Sequence, residues 1–143
     1  MSNTDIILPL LEKSLQNTNN KNILKLSFHD INKEKENILK ELNLSKKNTN
    51  ELIKKLQEYQ YIDEYSQLIE GRYLRWIALT NPQHLTLTNG GILCEIKITD
   101  SISLLMKNKN NVFFQIKLDE CLLFQRLTAQ EKIILYAIDL SNE

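Results

Sequence analysis

Glycine and proline are scarce in this chain: three of one and two of the other among 143 residues. Residues 10–70 contain neither. There is accordingly no glycine-rich phosphate loop and no nucleophile elbow. Cysteine is equally rare. Cys94 and Cys121 are too few for a disulfide framework and form no paired-cysteine motif, so a reducing, intracellular setting is expected. Both sit in apolar runs and read as small core side chains. His29 and His84 stand far apart in polar or turn contexts, and with the two cysteines they show no metal-ligand spacing. Charge of one sign is lacking too. With 18 basic and 18 acidic residues the formal net charge is zero, which excludes a polycation built to coat nucleic acid. No stretch reaches the roughly 20 apolar residues of a membrane span. Ile6-Ile7-Leu8-Pro9-Leu10-Leu11 is short, broken by proline and without a basic flank before it, so it does not read as a signal peptide.

What is present is ordinary for one or two small globular domains, 42% hydrophobic and 25% charged. Gly71, the first glycine, divides it. Upstream, Ile6, Ile7, Leu10, Leu11 and Leu15 have helical spacing, with Pro9 near the start, where a helix tolerates it. Asn17–Asn20 reads as a linker, and Ile23–Phe28 as a short strand or the run-in to the next helix. Asp30 is the expected N-cap. From there Ile31, Lys35, Ile38, Leu42, Ser45, Thr49, Leu52, Leu56, Tyr59 and Asp63 follow alternating steps of four and three, a heptad seam with a polar centre. The spacing predicts one long helix over about 31–69, or two joined near Leu44-Ser45. It would associate with a second copy through Ile38, Leu42, Leu52 and Leu56, or fold back on the first helix. Residues 1–70 are thus expected as a helical, coiled-coil-like oligomerisation region.

Downstream the period is two. Ile92, Cys94, Ile96 and Ile98 share a face; Ile102, Leu104 and Met106 repeat it; Lys107–Asn111 is a polar turn; Val112, Phe114, Ile116 and Leu118 resume the apolar face. Arg72–Leu79 and Cys121–Phe124 complete the set. Five short antiparallel strands predict a small closed β-barrel of the Tudor or Sm kind over 71–143, since closure removes exposed edges. Thr128-Ala129-Gln130-Glu131 fits a capping box, opening a C-terminal helix with Ile133, Ile134, Ala137, Ile138 and Leu140 as its docking stripe. The fold class expected is α+β.

Asn37–Ser45, Leu52–Leu56 and Tyr61-Ile62 together resemble the helix-turn-helix stretch of winged-helix DNA-binding domains. That resemblance covers residues 37–62 and implies that Lys46, Lys47, Lys54 and Lys55 face phosphate. The chain departs from the pattern at Tyr59-Gln60, where a glycine-containing turn is usual. Residues 30–60 are also nearly neutral, with seven lysines against six acidic residues. Gly71-Arg72-Tyr73-Leu74-Arg75-Trp76-Ile77, Gly90-Gly91 and Phe113-Phe114-Gln115-Ile116-Lys117 resemble small uncharacterised proteins of large eukaryotic DNA viruses. This second resemblance spans about residues 30–126. It implies a viral setting (cytoplasm, viral factory or virion) and no particular activity.

Arg72, Tyr73, Arg75 and Trp76 are the residues of greatest chemical interest. Either they pack along the β module, with a guanidinium reaching a carboxylate or carbonyl, or they form an aromatic-basic patch that stacks a base or grips an acidic tail. Asp119 and Glu120, adjacent in the chain, would point to opposite faces of a strand and not share a site. No reaction is indicated and no cofactor or metal is expected. The function expected is that of a non-enzymatic assembly or adaptor protein, self-associating through its N-terminal helices and presenting a β-barrel surface to a protein partner. A nucleic-acid-binding regulatory protein is the alternative.

Overall fold

The computed structural model describes residues 3–16 and 26–141, with side chains of the first helix from Leu8 onward. The order is α1 (Asn3–Gln16), α2 (Phe28–Lys40), α3 (Lys46–Lys55), β1 (Tyr59–Ile62), β2 (Tyr73–Ala78), β3 (Gly91–Ile98), β4 (Ile102–Lys107), β5 (Phe113–Lys117), β6 (Cys121–Arg126) and α4 (Ala129–Ser141). The linker expected at Asn17–Asn20 lies outside the described residues, as do residues 23–25 of the expected strand or run-in and the side chains of Ile6 and Ile7. The described residues form two compact units. One holds α1, α2 and α4, from the residues up to Ser45 and from Leu127; the other is Lys46–Arg126.

In the first unit, α2 begins earlier than expected. Ser27 is the N-cap and Asp30 the third helical residue: Asp30 N–H donates to Ser27 Oγ at 3.1 Å, and Ser27 N–H donates to the Asp30 carboxylate at 3.3 Å. The helix stops at Lys40. Leu42 and Asn43 N–H close its last turn on the Leu39 and Lys40 carbonyls, and Asn43 takes φ 55°, the left-handed conformation that ends helices. Of the two arrangements expected, a single long helix is not formed and two short helices joined across residues 41–45 are, so the heptad seam is broken. Pro9 is the seventh residue of α1, not part of its first turn. The capping box of α4 forms as read: Glu131 N–H donates to Thr128 Oγ1 at 3.1 Å and Thr128 N–H to Glu131 Oε1 at 2.9 Å. Its stripe is Ile134, Leu135 and Ile138, which pack with Ile31, Leu127, Leu11, Leu26 and Phe28. α4 thus meets α1 and α2.

In the second unit, six antiparallel strands form one open sheet in the order β1-β6-β2-β3-β4-β5. It curls strongly, for a reason of chain length. Only Leu118–Glu120 connects β5 to β6, and the four steps from Lys117 to Cys121 reach at most about 14 Å. In a flat sheet those strands, four ladder steps apart, would be about 19 Å apart. The Trp76 and Phe114 rings, on β2 and β5, accordingly meet at 5.7 Å. Leu74, Trp76, Leu93, Leu104, Met106 and Leu123 fill the concave side.

The expected closed barrel is not formed, and β1 is the reason. Closing five strands would require β5 to pair with the free edge of β6. Tyr59–Ile62 occupies that edge, in register with Arg126–Leu123. This strand lies upstream of Gly71, in a segment the heptad pattern assigned to helix. Its aromatic and β-branched residues carry the opposite preference, and pairing with β6 realises it. A second correction concerns β3. A bulge between Leu93 and Glu95 shifts the register, so Leu93 is fully buried while Ile92 is exposed, and Ile96 returns to the core. One inserted residue reverses the facing of everything before it.

Gln60 and Gln125 face each other in the β1–β6 ladder, both buried. Gln125 clamps the chain before β2: its Nε2 donates to Gln67 O at 3.2 Å, and its Oε1 accepts from Ile69 N–H at 2.9 Å. Gln60 Nε2 has no partner among the described residues. Opposite outcomes are expected from one substitution type. Gln125→Leu should destabilise by about 1–3 kcal/mol, because it strands two backbone groups, whereas Gln60→Leu should be neutral or stabilising. Urea denaturation of both variants checks this, and equal losses would show that the two amides are not distinguished.

Candidate binding cavity at the end of the curled sheet

The curl brings three loops and a strand end together. The end of β1 (Tyr61, Ile62, Asp63), Leu79 beyond β2, the β3–β4 turn (Asp100–Ile102) and the turn into β6 (Leu118, Asp119, Cys121, Leu122) enclose a cavity of about 540 Å3. Each wall is held. Leu79 N–H donates to Glu120 O at 2.8 Å and Thr99 N–H to Ser101 O at 3.0 Å. Asp63 N–H donates to Gln67 Oε1 at 3.1 Å. The Tyr61 ring rests on Phe124, centroids 5.7 Å apart. The cavity's lining combines aliphatic side chains, with Ile62 and Leu122 buried, and three exposed carboxylates, Asp63, Asp100 and Asp119. None of them makes an ion pair among the described residues, and the lining contains no lysine, arginine or histidine. The Cys121 thiol in the wall is pushed above its ordinary value, chiefly by burial and then by the Glu120 and Asp119 charges. No group of three His, Cys, Asp or Glu side chains placed to hold a metal ion occurs among the described residues, so the three carboxylates do not converge on one point.

Residues 118–120 form a tight 3-10 turn where sequence suggested strand ends. Asp119 and Glu120 nonetheless diverge. Asp119 lines this cavity and Glu120 a smaller one of about 310 Å3 beside Trp76 and Lys117.

The residues singled out from sequence lie elsewhere. Trp76 is 7% exposed, with its indole in the concave core. The other three grip backbone: Arg72 Nη1 donates to Arg126 O at 3.1 Å, Arg75 Nε to Thr88 O at 2.8 Å, and Tyr73 Oη to Asn89 O at 2.5 Å. Gly90, at φ +97°, lets that loop lie against β2; a Cβ there would strike the Leu74 carbonyl and the Tyr73 ring. Tyr73 and Arg75 thus clasp the 88–90 segment and Arg72 ties β2 to the end of β6, which accounts for both arginines. Lys46, Lys47, Lys54 and Lys55 are all exposed on α3. Of the expected self-association residues, Leu52 and Leu56 are buried within the chain, while Ile38 and Leu42 are half-buried. After α3, β1 pairs with β6 and not with the next strand, so it opens no wing hairpin. No single sequence signal marked the cavity: its carboxylates are 63, 100 and 119, brought together only by the curl.

The molecule is thus an α+β protein: a helical unit and an open, curled six-stranded antiparallel sheet with a cavity at one end. Compared with protein-family models, curated proteins and solved structures, nothing matches this chain. No helix among the described residues is long and apolar enough to cross a membrane.

Proposed function

We propose that this chain is a non-enzymatic adaptor that holds a segment of a protein partner in the cavity at the end of its curled sheet. The carrying observation is the cavity's lining: Ile62, Leu79, Ile102, Leu118 and Leu122 stand beside three exposed carboxylates that make no ion pair among the described residues. That distribution suits recognition, where an apolar floor supplies affinity and a few polar groups supply orientation. Chemistry asks for something different. A nucleophile needs a base within hydrogen-bond reach, and Cys121, the one thiol in the wall, has its thiolate disfavoured by burial and by neighbouring carboxylates.

Panning a displayed library of short random peptides on the full chain tests this reading. Enrichment of a sequence pattern is expected, with loss of that pattern on Ser101→Trp, which fills the mouth of the cavity. No enrichment, or a pattern indifferent to the tryptophan, would remove the proposal.

Nucleic-acid binding by α3 is the second reading, favoured by one observation. Its four lysines are exposed with a single acidic residue, Glu51, while Leu52 is buried on the other side. Affinity for duplex DNA should then fall steeply with added salt and weaken on Lys54→Glu. Salt-indifferent binding would end it.

A further inference from the structure

We propose that this chain pairs with a second copy of itself through β5, the two strands running antiparallel about a two-fold axis at Gln115 and joining two curled sheets into one. The pairing is independent of the cavity and goes beyond the adaptor reading. β5 is an edge strand: Phe113–Lys117 pairs with β4 on one side and with no strand on the other. Ladder alternation identifies the groups left over. Val112 O accepts from Asn108 N–H at 3.0 Å on the β4 side, so Phe114 and Ile116 also turn their backbone groups towards β4, and Phe113, Gln115 and Lys117 turn theirs outward. None of these three makes a hydrogen bond on the outer side among the described residues. Devices that commonly blunt an edge are few: β5 has no proline, its register with β4 has no bulge, and its one charge, Lys117, is its last residue.

The strand is complementary to itself, which singles out a second copy as the occupant. Two-fold pairing requires each residue to suit its opposite number in the other copy. Centred on Gln115, the register sets Phe113 opposite the second copy's Lys117, Phe114 opposite its Ile116, and Gln115 opposite its equivalent. Every outward group of both strands is then used, in about six backbone hydrogen bonds. Centring on Phe114 or Ile116 would instead call on Asn111, held left-handed at φ 60°, or on Asp119 in its 3-10 turn. No like charges stand opposite each other. Lys117 lays its stem and ammonium on the Phe113 ring, and a glutamine amide both donates and accepts, so two of them satisfy each other. Apolar surface also awaits cover at this edge. Phe113 is 60% exposed. Phe114 and Ile116 face the core yet are only half-buried, whereas Met106 and Leu104, their neighbours on β4, are fully buried. A strand laid beside β5 covers Phe113, Phe114 and Ile116 together.

Sedimentation equilibrium of the full chain over about 10–500 μM, with amide hydrogen exchange read by NMR at both ends of that range, tests the pairing. The mass should rise from monomer to dimer and no further. In the monomer the Gln115 and Lys117 amides should exchange freely while those of Phe114 and Ile116 are protected; in the dimer all four should be protected. Phe113→Lys sets ammonium against ammonium twice across the axis and should weaken the dimer about 30-fold, and adding Lys117→Glu should restore it to within about threefold. Both positions are exposed, and unshifted amides elsewhere verify the fold; if a variant fails to fold, exchange on the unaltered chain decides. A chain still monomeric at about 500 μM would overturn the proposal and leave the edge to a strand of a different protein. Mass growing beyond the dimer would mean that β5 pairs with β1 of a neighbour, and a dimer whose Gln115 amide still exchanges freely would place the contact elsewhere. Either result overturns the pairing, as would independent losses from Phe113→Lys and Lys117→Glu. The peptide panning bears on the cavity alone, so the adaptor reading and this pairing fail separately.

Discussion

Trp76→Ala is expected to cost about 3–5 kcal/mol of stability, the usual loss for truncating a buried aromatic side chain. Trp76 is 7% exposed, packs with Leu74, Leu93, Leu104, Met106 and Leu123, and meets Phe114 at 5.7 Å. That ring contact joins β2 to β5 across the concave side, so its removal weakens the curl and not merely one strand. Such a loss is a large share of the 5–15 kcal/mol typical of a folded domain. Trp76 is the only tryptophan, so unfolding of the variant must be followed by circular dichroism instead of fluorescence. Trp76→Phe should lose much less. A loss below about 1 kcal/mol on Trp76→Ala would mean that the indole is not in the core, and would restore its candidacy as a stacking surface.

Lys35 provides the second large effect. It lies with Ile31 and Leu39 on the buried face of α2 and is 1% exposed. Burial lowers its ammonium from the ordinary 10.5 to about 8, with Glu36 partly opposing the shift. The sign follows from proton linkage. Between these two values the unfolded chain binds the proton that the folded chain has released, so the Lys35 contribution to stability rises with pH across that interval. Below about pH 8 the folded chain carries the full cost of a buried charge. At about 1.4 kcal/mol per pH unit, the stability difference between the native chain and Lys35→Met should change by about 3 kcal/mol over the interval, in favour of the native chain at the alkaline end. The difference is the proper measure, because Tyr59 and Cys121, both raised by burial, destabilise either protein as they ionise. Paired denaturation series across this range provide the check. A difference independent of pH would show that Lys35 reaches solvent.

Lys35 also shows how a correct sequence pattern can be given the wrong meaning. Its place in the heptad series was legible, and so is its burial on the same helical face as Ile31. The inference to a coiled coil did not follow, because periodicity reports which face is covered and not what covers it. Leu52 and Leu56 illustrate the same point: both were read as seam residues, and both are buried within the single chain.

Local chemistry was the most legible part. The Thr128–Glu131 box, the alternation of Ile102, Leu104 and Met106, the Lys107–Asn111 turn and the inward Phe114 and Ile116 all depend on neighbours within a few residues, and all are realised. The failures have one kind of cause. Tyr59–Ile62 is a strand only because β6, more than sixty residues later, offers an edge. The bulge at Leu93/Glu95 is stabilised from outside its own strand, where Gly71 N–H donates to Leu93 O at 2.7 Å and Ile96 N–H to Glu70 Oε1 at 3.4 Å. The candidate cavity is more remote still, since Asp63, Asp100 and Asp119 share it through the short Leu118–Glu120 connection and the curl it imposes.

The order of residues by itself determined the α+β class, the positions of most strands and the final helix, because capping, alternation and turn chemistry act over a few neighbouring residues. Only the tertiary structure decided that the sheet stays open, that Tyr59–Ile62 is a strand, and that three distant aspartates line one cavity. Each of those outcomes is set by competition among distant segments for the same edge or the same space, and no local pattern records who wins it.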